Sequence, residues 1–274
     1  HAPPPPPAPP AGAGGLHSAS ASWGAASAKG ASAAAEAEEV VRYKQVKTLL
    51  QLLGHLASRD EDASSEQQAA DELSYTGVLT AALGHVLPCV TPALLEYPKL
   101  CAAYFRLLGS YLETRPLAAV TMPPPLYASV HDSIGFGIAH HDANICRGAL
   151  EAAYEFARRA AQHATHAGPA DEMLRQLLGR VAADLLTSRL HPEVVDPAGG
   201  NALIALIVAQ PAHWQALLAS LVGAQPTAEG RACATAAFGA LLTTNNVSAT
   251  LSRPNRQRFR TNLEVMLRTV VMFS

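Results

Sequence analysis

The sequence predicts an all-α protein, an α-solenoid of antiparallel helix pairs of the HEAT or armadillo type, on three observations. Apolar residues recur every three or four positions along most of the chain. Prolines and glycines interrupt these stretches at helix-length intervals. Hydrophobic residues make up 49% of the 274 residues and aromatic residues only 5%, a balance that favours helices rich in Ala and Leu over a β-sandwich.

The first 35 residues are predicted to be a disordered, partly polyproline II segment. Ala2–Pro10 is almost pure proline and alanine, and Gly, Ala and Ser follow up to Ala35. Such a composition cannot bury enough apolar surface to offset the entropy of ordering. Its prolines could dock an SH3-like or WW-like domain, but compositional bias is the simpler explanation. Because the chain starts at His1, we expect it to be part of a longer protein.

Helical repeats are predicted over residues 36–274. The first helix, Glu36–Ser58, has one apolar stripe, and acidic residues in its first turn favour the helix dipole. A polar break is predicted from Arg59 to Asp71, rich in Asp, Glu, Ser and Gln. The second helix, Leu73–Leu87, should end at Pro88.

The next three helices have recognisable start signals. Pro98–Thr114 begins with proline in the favoured first turn, and Pro125–His140 follows a run of three prolines. Asp142 is a natural N-cap for a helix over Ala143–His163, because its carboxylate can accept free backbone N–H groups.

Breakers of the same kind separate the remaining helices. They are predicted over about residues 171–190, 198–209, 212–222, 228–244 and 254–272, which makes about ten helices in all. Two helices span roughly 40–47 residues, the period of HEAT and armadillo repeats. Each pair must stack on its neighbours to bury its apolar seam, which favours a solenoid, with a closed helical bundle as the alternative.

Charge, cysteine usage and hydropathy exclude several classes of function. The net charge is −2 and the pI about 6.6, so nucleic acid is not an expected partner. No apolar run approaches the ~18 residues of a membrane span, so no membrane insertion is expected. The cysteines lack the spacing of a metal site or a disulfide framework, and we expect reduced core residues in an intracellular protein. They are Cys89, Cys101, Cys146 and Cys233.

His140-His141-Asp142 is the one cluster that suggests metal or acid–base chemistry. Adjacent residues at a helix end point about 100° apart, so neighbouring imidazoles rarely share an ion. A structural role is therefore favoured, and a helical enzyme built on these three residues is the rival hypothesis. We predict no catalytic, cofactor-binding or metal-binding residue and no cofactor.

Weaker patterns have simple structural explanations. Gly135-Phe136-Gly137 resembles part of a phosphate loop, but no strand precedes it and no lysine follows it, so close helix packing is favoured. Asp196-Pro197-Ala198-Gly199-Gly200 is a weak phosphate candidate at a helix start. Cys146 and Cys233 have no predictable base partner, and Asn246-Val247-Ser248 matches a glycosylation sequon with nothing to indicate secretion.

Two charged surfaces are predicted. The final helix has a positive face, which favours the polar outer cap of a terminal repeat over contact with an acidic partner. Its arginines are Arg253, Arg256, Arg258, Arg260 and Arg268. The acidic patch of Asp60-Glu61-Asp62 and Glu66 could attract a basic cargo, but a solvated loop is favoured.

The order of packing residues carries a family resemblance. The segments are Tyr75-Thr76-Gly77-Val78, Val86-Leu87-Pro88, Leu94 to Cys101 and Tyr104 to Leu108, with Tyr43-Lys44 and Leu49 to Leu56 before them and Leu126-Tyr127, Ser133 to Gly137, Ile145-Cys146 and Leu150 to Ala152 after them. Together they resemble the C-terminal HEAT repeats of nuclear export receptors of the importin-β superfamily. The resemblance weakens after Gly168.

This resemblance implies a non-enzymatic carrier that binds protein cargo together with Ran-GTP, contacts nuclear pore proteins and shuttles between nucleus and cytoplasm. In the family, Ran is bound mainly by N-terminal and central repeats, and the C-terminal arch partly faces cargo. The alternative function is a generic HEAT or armadillo adaptor outside nuclear transport, whose binding would be indifferent to the nucleotide on Ran.

Overall fold

A computed structural model describes residues 33–58, 66–115, 122–162 and 168–271. Over these residues the chain contains helices and turns and no strand, which confirms the all-α prediction. Most of the segment predicted to be disordered, residues 1–32, lies outside the described residues. The first helix begins at Ala33 rather than Glu36, because alanine is the strongest helix former and extends the helix backwards.

Ten long helices are present in the described ranges, one for each helix predicted. They are α1 (Ala33–Ala57), α2 (Glu66–Val86), α3 (Pro98–Thr114), α4 (Pro124–Ile138), α5 (Ala143–Gln162), α6 (Pro169–Leu186), α7 (Gly200–Ala209), α8 (Pro211–Gly223), α9 (Ala228–Thr243) and α10 (Arg253–Val271). Short helical turns occupy Leu87–Cys89, Pro92–Leu95, Pro192–Val194, Val195–Gly199 and Thr244–Asn246.

One predicted boundary is wrong by two turns. The polar break was expected to reach Asp71, but α2 already begins at Glu66. Its first residues are Glu, Gln and Ala, which are all strong helix formers despite their polarity. Asp60-Glu61-Asp62 lies outside the described residues, whereas Glu66 belongs to a helix and not to a loop.

The helices alternate between two layers. In one layer α3 packs between α1 and α5, and α5 packs between α3 and α7, which then packs on α10. In the other layer α4 packs between α2 and α6, while α9 pairs with α10. This is the stacking of helix pairs predicted for a solenoid, in which each repeat buries its seam against its neighbours.

Small residues allow α4, α3 and α5 to approach closely. A Cβ added at Gly137 would lie 2.6 Å from the Cβ of Ala149 on α5 and would overlap the ring of Phe105 on α3. Gly137 is therefore required for packing, which confirms the expectation for this glycine. Gly135, two positions earlier in the same helix, faces open space.

Pro192–Ala209 is the one stretch of the described chain that is long and apolar enough to cross a membrane, with a mean hydropathy of 1.2 over 18 residues. The expectation that no stretch is long and apolar enough for a membrane span is therefore wrong by the criteria of length and composition. Over half of this stretch is buried inside the protein, and α7 packs against α5, α6 and α10. It therefore has the packing of a core helix.

Candidate functional site

An open groove of about 810 Å³ runs between α3 and α5 on the surface of one helix layer. Residues on a single face of each helix line it, because three- and four-residue spacing returns side chains to the same side. The α3 wall comprises Lys99, Ala102, Arg106, Gly109 and Glu113, and the α5 wall comprises Asn144, Gly148, Glu151 and Glu155. Asn201 of α7 and Arg256 of α10 also line the groove.

Small and apolar residues form the floor of this groove. Phe105 and Ile145 are each 4% exposed and fill the space between the helices. A Cβ added at Gly148 would lie 3.0 Å from the Cβ of Phe105, so Gly148 is needed for the walls to approach. A Cβ at Gly109 would meet nothing within 4 Å, so the missing side chain at this position leaves open volume.

One half of the groove is acidic. Glu113 on α3 lies close enough to Tyr154 of α5 to raise the pKa of its hydroxyl, and Glu151 and Glu155 also line the α5 wall. Arg256 Nη1 donates a hydrogen bond of 2.9 Å to the Tyr154 hydroxyl, and the guanidinium lies 5.1 Å from the centre of that ring. This contact joins α10 to α5 at the acidic end.

The carboxylates at this end differ in their partners. Glu155 accepts hydrogen bonds of 2.9 and 2.5 Å from Arg158, an ion pair within α5. Glu151 is exposed, but partial desolvation of its carboxylate raises its pKa, and Arg147 opposes the rise.

Lys99 lies at the other end of the α3 wall, and Arg106 lies midway between Lys99 and Glu113. In the part of the chain that the structure describes, neither they nor Glu113 take part in a salt bridge. The α3 wall therefore presents a basic side chain at one end, a second at its centre and an acidic side chain at the other end, all free to meet charges on a partner.

The structure places His140 and His141 differently from the expectation. Their rings stack with centroids 4.3 Å apart instead of diverging, because α4 ends at Ile138 and both residues follow it. His140 Nδ1 accepts a hydrogen bond of 3.0 Å from the Asp142 backbone N–H. Asp142 Oδ1 accepts one of 2.8 Å from the Asn144 backbone N–H, as an N-cap does.

This cluster therefore shapes the turn between α4 and α5. Burial lowers the pKa of His140, and His141 adds to the effect while Asp142 and Glu96 oppose it. Among the described residues no group of three or more His, Cys, Asp and Glu side chains is arranged to hold a metal. The absence of catalytic and metal-binding residues stays a prediction.

The two glycine-containing patterns have structural roles. Gly135-Phe136-Gly137 lies inside helix α4, so it is no phosphate loop. Asp196–Gly200 forms a tight turn before α7 in which Gly199 and Gly200 are buried. A Cβ at Gly200 would lie 2.8 Å from Cγ of Arg260, which covers this turn. The guanidinium of Arg260 pairs with Asp196 at 3.1 Å, so this turn is closed by a contact within the chain.

Cysteine placement is partly as expected. Cys101 and Cys146 are buried, and burial raises the pKa of their thiols to about 12 and about 11, so both are protonated at neutral pH. The expectation of a core residue is wrong for Cys89, which is exposed at the end of the Leu87–Cys89 turn, whereas Leu87 at its start is buried. Cys233 is half-buried.

The arginines of α10 mostly bind within the chain. Arg256 contacts Tyr154, and Arg258 donates a hydrogen bond of 3.1 Å to the carbonyl of Asn246, the first residue of the glycosylation sequon. Arg260 pairs with Asp196 at 3.1 Å and Arg268 with Glu264 at 2.6 Å. These contacts favour the structural cap over an acidic-partner site.

Sequence reasoning missed the α3–α5 groove. A signal was present on α3, where Ala102 and Gly109 alternate with charged residues at helical spacing on the face opposite the core. The pairing with α5 was not visible, because the two helices are neighbours only through the stacking of repeats.

The family model described as CRM1 C terminal matches residues 64–185 of the chain. The match runs from the start of α2 to the end of α6 and includes both main walls of the groove. Helix α1 and helices α7 to α10 lie outside it.

Proposed function

We propose, from the premise that residues 64–185 are an exportin-type CRM1 C-terminal region, that this chain is the C-terminal part of a Ran-GTP-dependent nuclear export receptor. The packing-residue order from Tyr75 to Ala161 supports a receptor like exportin-4 within that family. Such a receptor binds protein cargo, contacts nuclear pore proteins and shuttles between nucleus and cytoplasm, without enzymatic activity.

The observation that carries the proposal is the α3–α5 groove inside the matched region. Its walls hold charged side chains without partners in the described chain, over a floor of small and apolar residues. Protein partners are bound by such surfaces, in which an apolar centre is rimmed by polar groups. We propose this groove as a cargo contact.

The mechanism is reversible binding coupled to curvature. Each repeat contacts only its neighbours, so small rotations between repeats add up along the solenoid. Ran-GTP, held by repeats elsewhere in the receptor, favours a curvature in which the arch holds cargo, and hydrolysis removes that bias. The alternative is a HEAT or armadillo adaptor outside nuclear transport, which uses the same groove without regard to the nucleotide on Ran.

Replacing Gly109 with glutamine should fill the groove and lower the affinity of the complete receptor for its Ran-GTP-dependent cargo at least about tenfold. The fold should be unharmed, since the new Cβ meets nothing within 4 Å and glutamine is the better helix former by roughly 0.5 kcal/mol. Affinity is measured on cargo proteins retained with Ran-GTP.

The matched control is Gly84→Gln. Gly84 lies on α2, is exposed and also has open space at its Cβ, but it lies away from the groove. Equal cargo affinity of the Gly109→Gln and Gly84→Gln variants would show that the groove does not contact cargo.

A further inference from the structure

We propose, building on the function proposed above, that the α3–α5 groove receives an α-helix of the protein partner that pairs an acidic residue with Arg106 and a basic residue, two turns away, with Glu113. This statement goes beyond a cargo contact because it specifies the secondary structure and the charge pattern of the bound segment.

The length and floor of the groove suit a helix. The α3 wall runs from Lys99 to Glu113, about 21 Å at the helical rise of 1.5 Å per residue, or roughly four turns of a partner helix. Ala102, Gly109 and Gly148 present little or no side chain, so a partner helix can approach to the ~8–10 Å typical of packed helices.

An extended segment suits the groove less well. Both long walls are helices, whose backbone N–H and C=O groups are already bonded along the helix axis. An extended chain would find no sheet edge to pair with, whereas a helix satisfies its own backbone before it docks. The groove therefore favours a helical occupant.

The charges of the walls define a pattern for this helix. Arg106 and Glu113 lie on one face of α3, two turns or about 10 Å apart. Glu151 lines the opposite wall and is exposed. Asp142 also lines the groove but is occupied as the α5 cap, and Arg256 is held by Tyr154.

The partner helix should therefore be bipolar, with an acidic residue at position i and a basic residue at about i+7. A helix can lie in the groove in either direction, so exchanging the two charges is no test. Like charges at both positions are the informative comparison, because one of them must meet a charge of its own sign.

The experiment uses the 274-residue chain and four stapled or linear peptides based on Ala and Leu. Three are helical and carry Glu and Lys, Lys and Lys, or Glu and Glu at positions i and i+7. The fourth has the Glu and Lys residues but is made extended by prolines. Binding is measured by fluorescence anisotropy at low ionic strength. The Glu–Lys helix is expected to bind at least about tenfold more tightly than either like-charged helix and than the extended peptide.

Substitution of Arg106 by glutamate should invert the preference, so that the Lys–Lys helix binds most tightly. Arg106 is exposed and makes no salt bridge in the described chain, so the substitution leaves the fold intact. The control is Arg268→Glu, the same change on the highly exposed face of α10, 77% exposed at this side chain. It should leave the order of the peptides unchanged.

Three outcomes would overturn the proposal. They are no binding at millimolar peptide, equal binding of the helical and extended Glu–Lys peptides, and affinities that follow the net charge of the peptide alone. Ran takes no part in this assay. If the Glu–Lys helix is preferred but cargo binding does not depend on the nucleotide on Ran, the helix site stands and the transport function is wrong. If cargo binding requires Ran-GTP but the Glu–Lys helix is not preferred, the transport function stands and the helix site is wrong.

Discussion

Replacing Gly137 with alanine is expected to lower the free energy of unfolding by about 2 kcal/mol, the cost typical of inserting a methyl group into a packed interior. The new Cβ would lie 2.6 Å from the Cβ of Ala149 and would also overlap the Phe105 ring. The ring can turn away, but the Ala149 Cβ moves only with the backbone of α5. The helices must therefore separate. Urea unfolding followed by circular dichroism measures the loss.

Gly135→Ala is the matched control for this prediction. Both glycines lie in α4, and both substitutions raise helix propensity by up to about 1 kcal/mol. Gly135 has open space at its Cβ, so its variant should be as stable as the parent or more so. Equal stability of the two variants would show that α4 does not pack on α3 and α5 at this distance.

Asn262→Ala is expected to destabilise the last helix pair by about 2–3 kcal/mol, because it leaves buried carbonyl groups without donors. Asn262 is 6% exposed on α10. Its Nδ2 donates a hydrogen bond of 3.1 Å to the carbonyl of Leu241 and one of 2.7 Å to the carbonyl of Thr244. Its Oδ1 accepts a hydrogen bond of 2.7 Å from Nδ2 of Asn245. The side chain thereby satisfies the C-terminal end of α9, where helical carbonyls lack partners.

The effect of Asn262→Ala should be local, since repeats contact only their neighbours. Hydrogen exchange should accelerate in α9 and α10 and remain unchanged in α3 and α5. Asn262→Asp should be worse than alanine at neutral pH, because a carboxylate would face carbonyl oxygens. A uniform acceleration over all helices, or none in α9, would contradict this account of Asn262.

Local signals predicted the helices well. Pro98 stands in the first turn of α3, as predicted, because a missing N–H costs nothing there. Pro169 and Pro211 were expected only to separate helices, but they stand in the first turns of α6 and α8. Thr227, a cap that was not predicted, accepts a hydrogen bond of 2.9 Å from the Gly230 N–H at the start of α9. Such signals act over a few residues, so a sequence shows them directly.

The wrong predictions concern polar residues that form a helix instead of a loop, and contacts between residues that are distant in the sequence. The start of α2 was missed because its polar residues are helix formers. The stacking of His140 on His141 depends on where α4 ends, and helix ends are the least predictable boundaries. The groove depends on direct contact between α3 and α5, which α4 separates in the sequence. Only the packing of repeats brings these two helices together.

Nucleotide-dependent cargo binding by the complete receptor tests the central claim most directly. Cargo retention is compared with Ran locked in its GTP state and with Ran-GDP, for the parent and for Gly109→Gln. The account predicts retention that requires Ran-GTP and falls at least about tenfold when the groove is filled. Retention of the same proteins with either nucleotide would contradict it and would favour an adaptor outside nuclear transport.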